Sequence, residues 1–178
     1  MFTVLFRTAV AALALFLVTV TGSPVQASTP DATVTPKSRC AVCGMFVAKH
    51  KNWLTGIQLA DGTEKYFDGV KDMMAFYFSP EKYGVSSRDQ IKKIQVRDYY
   101  TMQWIDGRKA FYVVGSDVMG PMGKELIPFA SRDAAETFLK DHKGHKVLTF
   151  DEITDDLVQS MRSGMKMKMH MQMNNHKQ

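Results

Sequence analysis

Residues 53–78 read Trp-Leu-Thr-Gly-Ile-Gln-Leu-Ala-Asp-Gly-Thr-Glu-Lys-Tyr-Phe-Asp-Gly-Val-Lys-Asp-Met-Met-Ala-Phe-Tyr-Phe. Trp53, Thr55, Ile57 and Leu59 alternate onto one side of an extended chain. Asp61-Gly62 is a hairpin turn signal, and Tyr66-Phe67 carries the returning strand. Asp68 stands where a helix cap is wanted. Val70, Met73, Met74 and Tyr77 follow at i, i+3, i+4 and i+7, which predicts a helix over 69–79 that Pro80 stops. Met73 and Met74 fit the inward stripe and read as packing. Ile94-Gln95-Val96 is the next strand and ends at Asp98, completing a ββαβ order.

The order recurs downstream. Trp104-Ile105 and Asp106-Gly107 lead into the strand Phe111-Tyr112-Val113-Val114, and a loop from Gly115 to Gly123 precedes a strand at Leu126-Ile127-Pro128-Phe129. Ser131 caps a helix whose Ala134, Ala135, Phe138 and Leu139 face inward, and Gly144 ends it. Val147 to Asp151 is the closing strand, and Thr154-Asp155-Asp156 starts a short further helix with acids in its first turn. Tyr66-Phe67-Asp68 and Pro128-Phe129-Ala130 hold equivalent places. The expected fold is α+β: two ββαβ units, about 40–98 and 103–153, packed as one compact body because each half alone buries too little core.

The chain has 178 residues, 45% of them hydrophobic and 23% charged, which suits one globular domain and excludes bulk disorder. Its net charge of +5 lies almost wholly outside the body. Residues 161–178 hold Arg162, Lys166, Lys168 and Lys177 with no acid, and residues 1–27 hold Arg7 alone, so residues 28–160 are electroneutral. The electrostatic footprint of a nucleic-acid binder is therefore missing.

Arg7, the apolar run from Ala9 to Val20, the break at Gly22-Ser23-Pro24 and the small residues of Val25-Gln26-Ala27 read as a signal peptide over 1–27, cut after Ala27. The run is too short to span a bilayer, which takes about 20 residues, so no membrane span is expected after cleavage. No cysteine follows the run directly, so no lipid-attachment site is read, and the mature protein is expected to be exported, periplasmic and soluble. Residues 28–38 form a polar, proline-bearing leader that reads as a tether; 39–160 is the body and 161–178 a flexible Met/His/Lys-rich tail.

Arg39-Cys40-Ala41-Val42-Cys43-Gly44-Met45 carries the only cysteines of the chain. Haem attachment is excluded because residue 44 is Gly rather than His. Structural zinc lacks further ligands at knuckle spacing. A thioredoxin-type pair wants a helix N-terminus, whereas a strand-like run follows here. A structural disulfide suits an exported protein. The remaining reading is a soft-metal site, since thiolate and thioether select Cu(I), and Met45 lies two residues beyond Cys43 on the same side of an extended segment.

Methionine strengthens that reading. There are 13 in the chain, and Met119-Gly120-Pro121-Met122-Gly123 places two thioethers in a glycine- and proline-punctuated loop. Met165, Met167, Met169, Met171 and Met173 alternate with Lys166, Lys168, His170 and Gln172, a tract able to gather Cu(I) through neutral, exchangeable donors that survive oxidising surroundings. His50, His142 and His145 read as surface residues. No nucleophile elbow, phosphate loop or zinc-protease motif is present, so an enzyme is not expected.

Arg39 to Met45, Tyr66-Phe67-Asp68 and above all Gly120-Pro121-Met122-Gly123-Lys124-Glu125-Leu126-Ile127-Pro128-Phe129-Ala130 closely resemble the NosL family, accessory proteins of nitrous-oxide reductase; the resemblance covers roughly residues 39–153. It implies a fold like the organomercurial lyase core, Cu(I) binding, and supply of copper to the reductase. By position, Cys43 and Met45 fall on the family's C-G-M ligand pair and Met122 on its motif methionine, with Cys40 and Met119 as neighbours. Family members are typically lipoproteins, and the Met-x-Met tail is not part of the family pattern. The implied function is a periplasmic Cu(I) metallochaperone whose partners are copper and either apo nitrous-oxide reductase or its membrane assembly complex. The rivals are a thiol–disulfide oxidoreductase using Cys40 and Cys43 and, on fold analogy alone, a metal–carbon lyase.

Overall fold

The computed structural model describes residues 30–164. Asp61-Gly62 joins β1 (Thr55–Leu59) to β2 (Glu64–Phe67), antiparallel, with Thr55 opposite Phe67 and Ile57 opposite Lys65. Gly62 takes the left-handed φ of 84° that the turn needs, and the Asp61 carboxylate accepts the Thr63 N–H at 2.8 Å. β3 (Ile91–Arg97) lies on the other side of β1, and β4 (Trp104–Asp106) completes a four-stranded sheet in the order β2-β1-β3-β4. Trp104-Ile105, expected to lead into the second half, is therefore the outer strand of the first sheet, with Trp104 opposite Arg97.

The second sheet has the order β8-β5-β9, formed by β5 (Phe111–Val114), β8 (Ile127–Phe129) and β9 (Lys146–Thr149). Between β5 and β8, the expected loop contains a small hairpin. β6 (Met119–Gly120) pairs with β7 (Gly123–Lys124), leaving Pro121-Met122 at its tip. Helix α2 (Val70–Phe78) lies across β1 and β2, and α3 (Arg132–Asp141) covers β5, β8 and β9. Ser131 caps α3 as expected, accepting the Ala134 N–H. Residues 155–164 form helix α4, whose Leu157 N–H is held by the Thr154 hydroxyl. The predicted α+β arrangement of two ββαβ units is the architecture observed, and α4 runs into the stretch assigned to the tail.

One core joins the halves. Met73, Met74, Phe67, Phe76, Ile57 and Ile94 are fully buried from the first unit, and Leu126 and Leu148 from the second and Val158 of α4 pack into the same cluster. A smaller cluster of Val113, Ile127, Phe129 and Phe138 lies under α3. Trp53 leaves the expected β1 stripe: it sits in the turn Lys51–Trp53, packs against this second cluster and contacts Tyr99. Thr55, Gly56 and Ile57 are all buried rather than alternating, because the leader covers the other face. Short helix α1 (Pro30–Thr33) sets the Pro30 ring over Gly56, and Asp31 bonds Arg97 and the Trp104 indole at 2.6–2.8 Å. Residues 30–38, read from the sequence as a tether, are thus seated on the first sheet.

The start of α2 departs from its expected cap. Gly69 holds the cap position, and Asp68 makes no capping bond. Buried Glu125, 54 residues downstream, accepts the Lys71 N–H at 2.6 Å and its own neighbour's N–H, that of Leu126, at 2.9 Å. A side chain at residue 69 would collide with this carboxylate, so Gly69 makes its approach possible. The Lys71 side chain is also fully buried and donates to the carbonyls of Met122 and Lys124 at 2.7 and 2.8 Å. Helix α2 and the β6–β7 hairpin are thereby locked together.

Burial pushes Glu125 up from 4.5 to about 7. Between those values the folded protein holds a proton that the unfolded chain has released, so stability falls as pH rises through that window. The expected loss is on the order of 3 kcal/mol. Glu125→Gln removes this slope, as denaturant titrations at about pH 5 and about pH 8 will show.

Candidate metal centre

The cysteines lie in a tight turn stitched from both sides. The Cys40 N–H donates to the Met45 carbonyl at 2.8 Å and the Gly44 N–H to the Cys40 carbonyl at 3.0 Å, while Gly44 takes a left-handed φ of 79°. Arg39 donates from Nη1 to the Gly44 carbonyl at 2.9 Å and places its guanidinium 4.0 Å from the centre of the Phe46 ring. Bridges pair Arg39 with Phe46 and Cys40 with Tyr66, and the Ala41 N–H donates to the Tyr66 carbonyl. The turn is thus fastened to β2 two residues before Asp68.

That registration creates the site. Asp68 and Asp72, four apart where the chain enters α2, bring their carboxylates to the two thiols. Sulfur and oxygen ligand atoms of Cys40, Cys43, Asp68 and Asp72 all lie within 4.8 Å of one another. Both cysteines are free thiols. The Cys43 thiol donates to Asp68 Oδ1 at 3.3 Å and the Cys40 thiol to Asp72 Oδ2 at 3.6 Å, with the Cys43 N–H 3.5 Å from Cys40 Sγ. Cys40 is 3% exposed, Asp68 2% and Asp72 4%, while Cys43 is half-buried and forms the approach from outside.

The electrostatics suit a cation. Asp68 Oδ2 is buried with no hydrogen-bond partner, a costly arrangement for a carboxylate oxygen unless a cation completes it. Arg162 of α4 comes within 3.6 Å of Asp72 Oδ1 and donates to the Tyr83 hydroxyl, giving partial charge balance. The hydrogen bond with the Cys43 thiol, burial and the Asp68 charge together push the Cys40 thiol far above its ordinary range. Cys40 therefore keeps its proton until a metal displaces it.

The structure brings Cys40 and Cys43 together and adds two acids that the sequence reading did not select. Asp68 reads naturally as a helix cap, and Asp72 as the acid of a first turn. The usable signal was their i, i+4 spacing after Tyr66-Phe67, but nothing local says that a turn 28 residues upstream docks there. Met45 is half-buried in the cysteine turn itself, and its carbonyl closes that turn. Met122, at the tip of the β6–β7 hairpin, is tied through its carbonyl to Lys71, the residue preceding Asp72. Met119, 50% exposed, borders a cavity of about 420 Å³ with Val114, Met161 and Gly164. Met165, Met167, Met169, His170, Met171 and Met173 lie outside the described residues. The helix-N-terminus geometry of a thioredoxin-type pair is not found at Cys40, since the following residues form the turn and then the 3₁₀ segment Val47–Lys49.

Comparison with known proteins converges on one family. The NosL family model matches residues 31–158. The copper-binding lipoprotein NosL of Achromobacter cycloclastes is 32% identical over 164 residues, covering 85% of this chain and 82% of that protein. Its namesake from Stutzerimonas stutzeri is 29% identical over 147 residues, 78% and 74% of the respective chains. The crystal structure of the copper chaperone NosL from Shewanella denitrificans superposes with a TM-score of 0.63 at 26% identity, covering 75% of this chain and 99% of that one.

Asp68→Asn gives opposite effects on stability and binding. Replacing a buried carboxylate whose Oδ2 has no hydrogen-bond partner stabilises the metal-free protein by about 1 kcal/mol, read by thermal denaturation. The same change lowers affinity for a thiophilic probe cation such as Ag(I) by about ten-fold, read by competition with a chromophoric chelator.

Proposed function

The chain belongs to the NosL family, and from that membership we propose that it is a periplasmic Cu(I) metallochaperone, not an enzyme, that delivers copper for assembly of the copper centres of nitrous-oxide reductase. Copper is its cargo. The observation that carries the reading is the pair of free thiols facing two buried carboxylates at the edge of β2. Cys43, the more accessible thiol, supplies the anionic ligand that takes the ion first, and Cys40 supplies the second sulfur. Met45 and Met122 are the neutral thioether donors, on the two segments that flank the cluster. Met119 and the tail residues Met165, Met167, Met169, His170, Met171 and Met173 gather or buffer further ions.

Such a donor set favours transfer over storage. Thiolates are strong soft ligands, whereas thioethers and carboxylates bind a monovalent soft ion weakly. An acceptor can replace the weak donors one at a time and take the thiolates last, so the ion is never released to water. The acceptor in this reading is apo nitrous-oxide reductase or its membrane assembly complex. A thiol–disulfide oxidoreductase is the poorer reading, because it needs a low-pKa thiol and Cys40 is pushed the other way.

The reading places the mature protein in the periplasm as an exported chain beginning at Ser28 and free of lipid. The curated relatives are lipoproteins by name. Cys40, the first cysteine of this chain, is enclosed in the cluster. Intact-mass measurement of the exported protein is expected to give the 28–178 chain with no acyl adduct; a diacylglyceryl mass increment overturns that part of the reading.

Anaerobic Cu(I) titration against a chromophoric chelator tests the site. Cys43→Ser lowers affinity by about a hundred-fold or more. Deleting residues 165–178 reduces the number of ions bound but leaves the tightest affinity nearly unchanged. An unaltered affinity in the Cys43 variant removes the site.

A further inference from the structure

The body is electroneutral, yet its charge is not spread evenly. Residues 37–51 contain Lys37, Arg39, Lys49 and Lys51 and no acid, while the rest of 28–160 holds fourteen cations against eighteen acids. The hairpin carrying both cysteines is therefore the positive pole of a neutral body. All four cations are exposed. The Val47 N–H donates to the Ser38 carbonyl and Arg39 pairs with Phe46, so the arms bearing Lys37 and Arg39 run beside the segment leading to Lys49 and Lys51. Arg39 and Lys49 both lie over the Phe46 ring, at 4.0 and 5.9 Å from its centre. Beside them runs an open groove of about 710 Å³ bordered by Lys49, Lys51 and the Arg97–Asp31 pair.

The acids near this face are already engaged. Asp31 is held by Arg97 and Trp104, and Glu64 accepts from Thr33 and Tyr66. Asp68 and Asp72 lie beneath the turn with the thiols. The rim formed by the cysteine hairpin thus presents four exposed cations and an aromatic ring. It is a suitable rim for a site met by a negatively charged surface.

We propose that the Lys37/Arg39/Lys49/Lys51 face is the docking surface for an acidic protein acceptor, one whose own soft-metal ligands are ringed by Asp and Glu. The inference rests on the metallochaperone reading and adds the chemistry of the partner. Opposite charge speeds the encounter and orients it so that the acceptor's thiols meet Cys43. Copper then changes thiolate ligands with no change in oxidation state: the acceptor's thiols release their protons as they bind the ion, and Cys40 and Cys43 regain protons as they give it up.

The test uses the full mature chain loaded with Cu(I) and three synthetic Cys-x-x-Cys peptides flanked by glutamates, serines or lysines. Stopped-flow transfer to the acidic peptide is expected to be at least about ten-fold faster than to the basic one at low salt. That advantage should shrink at about 0.5 M salt. Lys37→Glu, Lys49→Glu and Lys51→Glu combined should reverse the preference while retaining Cu(I) affinity; Arg39 is left intact because it braces the turn. A cysteine-free acidic peptide, followed by fluorescence anisotropy with the metal-free protein, reads docking without copper. Equal rates to acidic and basic peptides in a protein that binds Cu(I) overturn the docking surface. Anisotropy binding that the triple variant loses, in a protein that fails to hold Cu(I), keeps the surface and overturns the chaperone reading. Charge-dependent sedimentation with phosphatidylglycerol vesicles, without a peptide preference, assigns the face to a membrane and overturns the proposal.

Discussion

Two carboxylates buried against two thiols are the constraint around which this protein is arranged. Asp68 and Asp72 are placed where water cannot solvate them well, and one oxygen of Asp68 has no partner among the described residues. Burying such charge is unfavourable by several kcal/mol unless something positive answers it. Within the metal-free protein the answer is incomplete: two weak thiol donors and the Arg162 guanidinium at 3.6 Å from Asp72. The site is consequently held open by the surrounding fold. The turn that carries the cysteines is stitched to β2, and α2 is seated on a core of fully buried aromatic and methionine side chains.

The same end of α2 carries a second buried ionic device. Lys71 reaches across to the β6–β7 hairpin while Glu125 reaches back to the Lys71 N–H, so each segment satisfies polar groups of the other. Glycine at 69 leaves room for the carboxylate. The lock fixes the Met122 backbone relative to Asp72 without involving either cysteine. So short a hairpin would otherwise range over many positions, and the two bonds from Lys71 to its backbone restrict it.

Much of the architecture was legible because period and punctuation agree along the chain. The Asp61-Gly62 turn, the stripe containing Met73 and Met74, the Ser131 cap and the acid-rich start of α4 all lie where local rules put them. The departures share a cause. Asp68 has the residue type of a cap and stands one residue before the cap position, yet its side chain turns to Cys43, and the Lys71 N–H is served by a distant glutamate. Trp104 extends the first sheet instead of opening the second, because β3 offered an unpaired edge. Gly56 is buried on a face that alternation assigns to solvent, because Pro30 covers it. Each is a long-range contact overriding a sound local preference.

By itself the sequence determined the order of the elements, the neutrality of the body, the concentration of sulfur at Cys40, Cys43 and the methionines, and the family to which these motifs point. Those properties reside in spacing and composition, which folding does not alter. Only the tertiary structure decided that Asp68 and Asp72 share the cysteines' pocket, that Glu125 rather than Asp68 serves the start of α2, and that Met122 is carried on a hairpin locked to the same helix. These depend on which backbone edges meet, and the free energy of that meeting comes from a core drawn from the whole chain rather than from residues adjacent in sequence.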